Sequence, residues 1–164
     1  VAEAAEGLDA EIVVMVQGDE PMVAPSMIDE ALLPFADKRV LCVNLLGVLT
    51  DVADFLSPHT IKVVINRDSD ALYMSRQSIP TPADGVPDGV GKQVCVIPFR
   101  REALRLFADL PEGRLERAES IDMLRFLENG VPVRMVPTRT PIQAVDTPAD
   151  LDRVTALMHA GVAS

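Results

Sequence analysis

The sequence predicts an α/β fold, with a mixed, mostly parallel sheet and helices on both of its faces. Three observations carry this expectation. Short runs rich in β-branched residues alternate with stretches whose apolar residues recur at helical spacing. The runs are continuous in apolar residues, as suits strands covered on both faces. Gly, Pro, Asp and Asn cluster between them and mark the turns.

Residues 1–8 have a short helical pattern that Gly7 stops. Residues 11–16 read as the first strand. Ser26 is expected to cap the next helix, with Asp29 three residues on and Met27, Ile28, Ala31, Leu32 and Phe35 as its apolar stripe. A central strand over 40–49 follows, then a short helix over 50–56 that Pro58 ends. Strands over 61–66 and 71–75, joined by Arg67-Asp68-Ser69-Asp70, read as a hairpin. Lys62 alternates out of the first of these strands and is expected to be solvated.

Residues 80–92 hold three prolines, three glycines and two aspartates. They read as a loop, long enough for a lid or a dimer contact. A strand over 93–99, a helix over 101–108 and one longer helix over 115–129 come next. For Glu116, at the start of that long helix, compensation of the helix dipole is the preferred role. Short strands over 133–136 and 142–145 precede the last helix. Thr147 caps that helix, Pro148 opens it, and Asp150 sits three past the cap.

Composition narrows the function. The length of 164 residues fits one domain. A net charge of -10 argues against a nucleic-acid footprint. No apolar run reaches the roughly 18 residues of a membrane span. Cys42 and Cys95 lie in apolar runs and are expected to be reduced, buried thiols, as in a cytoplasmic protein. His59 and His159 have no metal-spaced partner, which argues against zinc or a histidine-based triad.

The stretch richest in chemistry is VVMVQGDEP, residues 13–21. An apolar strand breaks there into Gln17-Gly18-Asp19-Glu20-Pro21, which sets two carboxylates and an amide on a sharp turn. Ligands bind at the carboxyl ends of strands in open α/β sheets. A carboxylate in that place suits Mg²⁺, a hard cation held through one or two carboxylates and substrate phosphates. The plain alternative is an acidic surface turn without a ligand. Asp146 also precedes a helix N-terminus, where a carboxylate has an equally plain role in capping or in complementing the dipole.

Four blocks extend the reading. VVMVQGDEPMVAPSMIDEAL resembles the VQGDEP segment of the 3-deoxy-manno-octulosonate cytidylyltransferases, the CMP-Kdo synthetase family. IKVVINRDSDALYMSRQSIP is similar to that family's "KVV…D…ALYFSR..IP", LERAESIDMLRFLENG to its "LE..E.LEQLR.LENG", and AVDTPADLDRV to its "GVDTPEDL..V". The blocks stand in family order and cover most of the chain. The resemblance implies the Rossmann-like nucleotide-diphospho-sugar transferase fold and a homodimer. It implies that CMP passes from CTP to the anomeric hydroxyl of an acidic sugar, Kdo or a related 2-keto-3-deoxy acid, with release of pyrophosphate. It makes Asp19 and Asp146 the pair that holds catalytic Mg²⁺. Gln17 would then contact the sugar and Arg76 would pair with a carboxylate or a phosphate, with Gln93, Glu119 and Asp122 completing the substrate site. Activation of a neuraminate-type acid and a non-catalytic scaffold are the two rival readings.

Two departures matter. The family's phosphate loop, of the type "R-x-x-S-x-R-L-P-G-K-P-L", has no counterpart in these residues, so 1–164 is expected to be a cytidylyltransferase-like domain without its N-terminal nucleotide-binding part, and inactive alone. Where the family carries "K-H-I-G-I-Y-A-Y", this chain has Lys92-Gln93-Val94-Cys95-Val96-Ile97-Pro98-Phe99, and Asp122-Met123 replaces its Glu-Gln. Gln93, Ile97 and Met123 would therefore line an altered sugar pocket that discriminates against ordinary Kdo.

Overall fold

The computed structural model describes residues 1–81 and 85–161. Seven strands and seven α-helices follow one another along the described residues: α1 (Ala2–Ala5), β1 (Ile12–Val16), α2 (Pro25–Leu32), β2 (Val43–Val48), α3 (Val52–Leu56), β3 (Lys62–Ile65), β4 (Ala71–Ser75), β5 (Val90–Val94), β6 (Val96–Arg100), α4 (Arg101–Asp109), α5 (Arg114–Glu119), α6 (Leu124–Glu128), β7 (Arg134–Thr138) and α7 (Pro148–His159). None of these helices is long and apolar enough to cross a membrane.

Five strands form one sheet in the order β4-β3-β5-β2-β7, and β1 and β6 form a two-stranded ribbon. The ribbon joins the sheet where Cys42 bridges to Phe99. Apolar side chains fill both faces. Val43, Leu45, Val94 and Val96 pack with Met27, Ala31 and Phe35 on one side. Leu46, Val63, Met74 and Phe99 pack with Leu104, Leu124 and Phe126 on the other. Alternate residues of β2 thus feed opposite cores, as the period-two geometry of a strand requires.

The mixed α/β architecture is the one expected, but the sheet is not mostly parallel. Among the described residues only β2 and β7 pair in parallel; β1–β6, β2–β5, β3–β4 and β3–β5 are all antiparallel. A buried strand has the same apolar run in either direction, so composition carries no direction signal. Direction follows the connections. The short Asn66–Asp70 turn returns β4 against β3, and β5 comes back between β3 and β2.

Other local expectations also shift. Ala24, not Ser26, is the N-cap of α2, because Pro25 takes the first helical position that its fixed φ favours. The single helix expected over 115–129 is two, parted at Ser120, whose φ of 54° is left-handed. Residues 142–145 form no strand. Residues 82–84 of the expected loop lie outside the described residues.

Candidate functional site

The acidic turn is built against a break in a neighbouring strand. β5 and β6 would be one strand but for Cys95. Both backbone groups of Cys95 are committed to the turn: its carbonyl accepts from Gln17 N–H at 3.1 Å, and its N–H donates to Glu20 Oε1 at 3.0 Å. Glu20 N–H closes the turn on the Gln17 carbonyl at 3.2 Å. The Asp19 carbonyl then accepts from Val145 N–H at 2.9 Å. That bond brings the segment bearing Asp146 against the turn bearing Asp19.

Gln17, Asp19, Arg76, Gln93 and Asp146 line one cleft. Asp146 is not the cap of α7: Thr147 is, its Oγ1 accepting from Asp150 N–H while Asp150 Oδ2 accepts from Thr147 N–H at 3.0 Å. The Asp146 carboxylate is exposed and uncommitted to the helix end. Asp19 Oδ1 and Glu20 Oε2 are buried without a hydrogen-bond partner. Orphaned carboxylate oxygens beside a further carboxylate are hard, anionic donors that suit a hard cation. Among the described residues no cluster of three His, Cys, Asp or Glu side chains has metal-binding geometry.

The carboxylates leave an electrostatic mark. Burial raises the pKa of Glu20, and the charges of Asp19 and Asp146 push the same way, against the Cys95 N–H and Lys92. Burial pushes the Cys95 thiol up to about 12, reinforced by Glu20, Asp19 and Asp146. Cys42 is raised by burial alone, and both thiols are free.

Cationic groups form the other part of the wall. Lys92 Nζ donates to the Ile142 carbonyl at 3.3 Å and lies 3.8 Å from Asp54 Oδ2. Arg76 is held by backbone oxygens, its Nε on the Glu119 carbonyl at 2.8 Å and its terminal nitrogens on those of Pro58 and Ser120 at 3.3 Å each. The Glu119 carboxylate accepts from Ser75 Oγ at 2.7 Å and Arg76 N–H at 2.9 Å. Glu119 therefore sits behind Arg76, and neither it nor Asp122, which is exposed in the turn before α6, is among the residues that line the cleft. The left-handed Ser120 is what turns α5 so that Glu119 meets β4.

Several residues with a place here were not read as such from the sequence. Lys62 is not solvated. It has no exposed surface, and its ammonium donates to the carbonyls of Ser57, Thr60 and Arg76. Glu116 does more than complement a dipole: it is buried in a two-bond ion pair with Arg125, at 2.6 and 2.8 Å. His59, which has no metal-spaced partner in the sequence, lines the cleft beside Lys92. Ile97 and Met123 are each 2 % exposed and belong to the apolar core, not to a sugar pocket. Of Gln93, Ile97 and Met123, it is Gln93 that lines the cleft.

Comparison with known proteins gives a consistent picture. The cytidylyltransferase family profile matches residues 1–136. The chain is 40 % identical over 163 residues to the 3-deoxy-manno-octulosonate cytidylyltransferase of Chloroherpeton thalassium, covering 96 % of this chain and 66 % of that protein. It is 42 % identical over 166 residues to the enzyme of the same name from Geobacter metallireducens, covering 94 % and 65 %. The chain thus spans just under two thirds of the length of these curated relatives. A solved CMP:2-keto-3-deoxy-manno-octonic acid synthetase complexed with CTP superposes with a TM-score of 0.87 at 34 % identity, over 98 % of this chain and 66 % of that one. A putative glucose-1-phosphate thymidylyltransferase from Bacillus anthracis shares the fold alone, with a TM-score of 0.61 at 12 % identity over 95 % of this chain and 58 % of that one.

Proposed function

The chain belongs to the cytidylyltransferase family, and from that premise we propose that its gene product transfers CMP from CTP to the anomeric hydroxyl of Kdo or a closely related sugar acid, releasing pyrophosphate. The observation that carries the reading is the bond from Val145 N–H to the Asp19 carbonyl, which sets two acidic segments far apart in sequence on one cleft.

Asp19 and Asp146 are the residues that would hold Mg²⁺, and the unpartnered Asp19 Oδ1 is the atom best suited to it. Bound there, the ion would offset phosphate charge as the nucleotidyl bond changes hands. The protein's own part is positioning. Lys92 and Arg76 present donors to anionic groups of the substrates, while Gln17 and Gln93 offer amides to hydroxyls. Carbonyl bonds from Pro58, Glu119 and Ser120 fix the Arg76 guanidinium before any substrate arrives, which lowers the ordering cost of binding.

Pyrophosphate release by the complete gene product, with CTP and Kdo, tests the reading. Mg²⁺-dependent turnover with Kdo is the expected result. Faster turnover with a neuraminate-type acid would replace the substrate. No CTP-dependent release with any sugar acid would leave a folded, non-catalytic scaffold.

A further inference from the structure

Asn44 is the second residue of β2, has no exposed surface and is flanked on both sides by core residues. A buried amide must satisfy both its donors and its acceptor. Its Nδ2 donates to the Val94 carbonyl at 2.6 Å and to the Leu45 carbonyl at 3.1 Å. Both of those acceptors are backbone oxygens and cannot change roles. Rotating the amide would set Oδ1 against the Val94 carbonyl at the same short separation, acceptor against acceptor. The backbone therefore dictates that Oδ1 faces the other way, where it accepts from Gln93 Nε2 at 2.7 Å.

This polarity passes on to the cleft. Gln93 must turn its nitrogen toward Asn44, which leaves Oε1 as its only acceptor for the cleft it lines. No hydrogen bond from a described residue reaches Oε1. The neighbouring cations, Lys92 and Arg76, offer donors only. We infer that Asn44 is a positioning residue that sets the hydrogen-bond polarity of Gln93, so that the sugar acid is recognised there through a group that donates, a hydroxyl or a protonated amine. This rests on the transferase reading above for the identity of the substrate, but not for the polarity itself.

Two measurements separate the two. In the substrate-free protein, a through-hydrogen-bond coupling from Gln93 Nε2 to the Asn44 carboxamide should be observed by NMR, with one Gln93 amide proton protected and the protection lost in Asn44→Ala. Absence of that coupling overturns the inference whatever the activity. With Kdo, its monodeoxy analogues and the matching fluoro analogues, one position should lose about ten- to a hundredfold in kcat/KM on deoxygenation. Fluorine, which cannot donate, should rescue nothing, and an amine at the same position should be accepted. In Asn44→Ala that penalty should shrink to about threefold or less, mainly through KM, because the freed amide can turn either way. Should Asn44→Ala fold poorly, Gln93→Leu should remove the same penalty. A penalty that survives both substitutions, or a fluoro analogue that restores the rate, overturns the inference. A protein with the NMR coupling but no turnover of any sugar acid supports the polarity and overturns the transferase reading.

Discussion

Replacing Asp146 by Asn separates chemistry from capping. The two N-cap bonds of α7 belong to Thr147 and Asp150, and Asp146 takes part in neither. Its carboxylate is exposed, and its backbone neighbour Val145 makes the contact with Asp19. Asp146→Asn should therefore change stability by no more than about 0.5 kcal/mol, the range of ordinary surface substitutions. In a chain of this size that is about 2 °C in Tm or less. The cost to a bound cation is far larger. Two unit charges about 4 Å apart interact by about 4 kcal/mol at an effective dielectric of about 20. Solvent screening at an exposed carboxylate trims this to about 2–3 kcal/mol. At about 1.4 kcal/mol per factor of ten, the loss is about two powers of ten in kcat/KM at fixed Mg²⁺. Pyrophosphate release by the complete gene product, titrated with Mg²⁺, reads the chemistry, and a thermal melt followed by circular dichroism reads the fold. An unchanged rate and Mg²⁺ half-saturation would refute the metal role. A Tm loss of about 5 °C or more would mean that Asp146 supports the helix after all.

Three further outcomes follow from the packing. Glu116→Gln should cost about 3 kcal/mol at neutral pH, because Arg125, 18 % exposed at its side chain, is left without its carboxylate. Hydrogen bonds from Arg125 hold the Glu116 carboxyl below its usual 4.5, so its stabilisation is full above that pH and fades as pH falls through the folded value. Urea midpoints from pH 7 to pH 3 should accordingly fall less steeply in the Gln variant than in the parent. Lys62→Met should lower stability by about 2–4 kcal/mol, since three carbonyls from two segments lose their shared donor; a denaturant midpoint equal to that of the parent would show that the ammonium holds nothing together. With its thiol pushed to about 12, the half-buried Cys95 should react with iodoacetamide at pH 8 through only about 10⁻⁴ of its population as thiolate; alkylation as fast as that of free cysteine would contradict the raised thiol.

The sequence announced the elements more clearly than their directions. Helix α7 follows its cap residue for residue, because Thr147, Pro148 and Asp150 each act within one turn. β3 and β4 also pair as the polar turn between them implies. The long-range choices were not legible. Nothing local in residues 90–94 says that they enter between β3 and β2, and nothing in 115–129 marks Ser120 as left-handed. The apolar residues at 115 and 118 carry the helical stripe across the break, yet α5 leaves them exposed and buries Glu116, and only α6 adds apolar side chains to the core. Period alone cannot tell one helix from two short ones in line.

At the site, what was legible is what stands on turns. Asp19 directly follows Gly18 and Asp146 stands two residues before Pro148, places where a chain bends. The buried polar residues do not, because their partners are backbone oxygens that any residue supplies. Lys62 and Asn44 look like lapses in apolar strands until the folded chain shows the carbonyls around them. That difference changes where specificity resides. Ile97 and Met123 face the core, so losing a phenol and an amide at those positions costs the cleft nothing. Of Gln93, Ile97 and Met123, it is Gln93 that lines the cleft, and its polarity is set by Asn44 behind it. Discrimination between sugar acids should accordingly move when Asn44 or Gln93 is changed, and stay put when Ile97→Val or Met123→Leu merely repacks the core. A changed ratio of kcat/KM between Kdo and a deoxy analogue in Ile97→Val, at unchanged fold, would return the pocket to the core side of β6 and refute this placement.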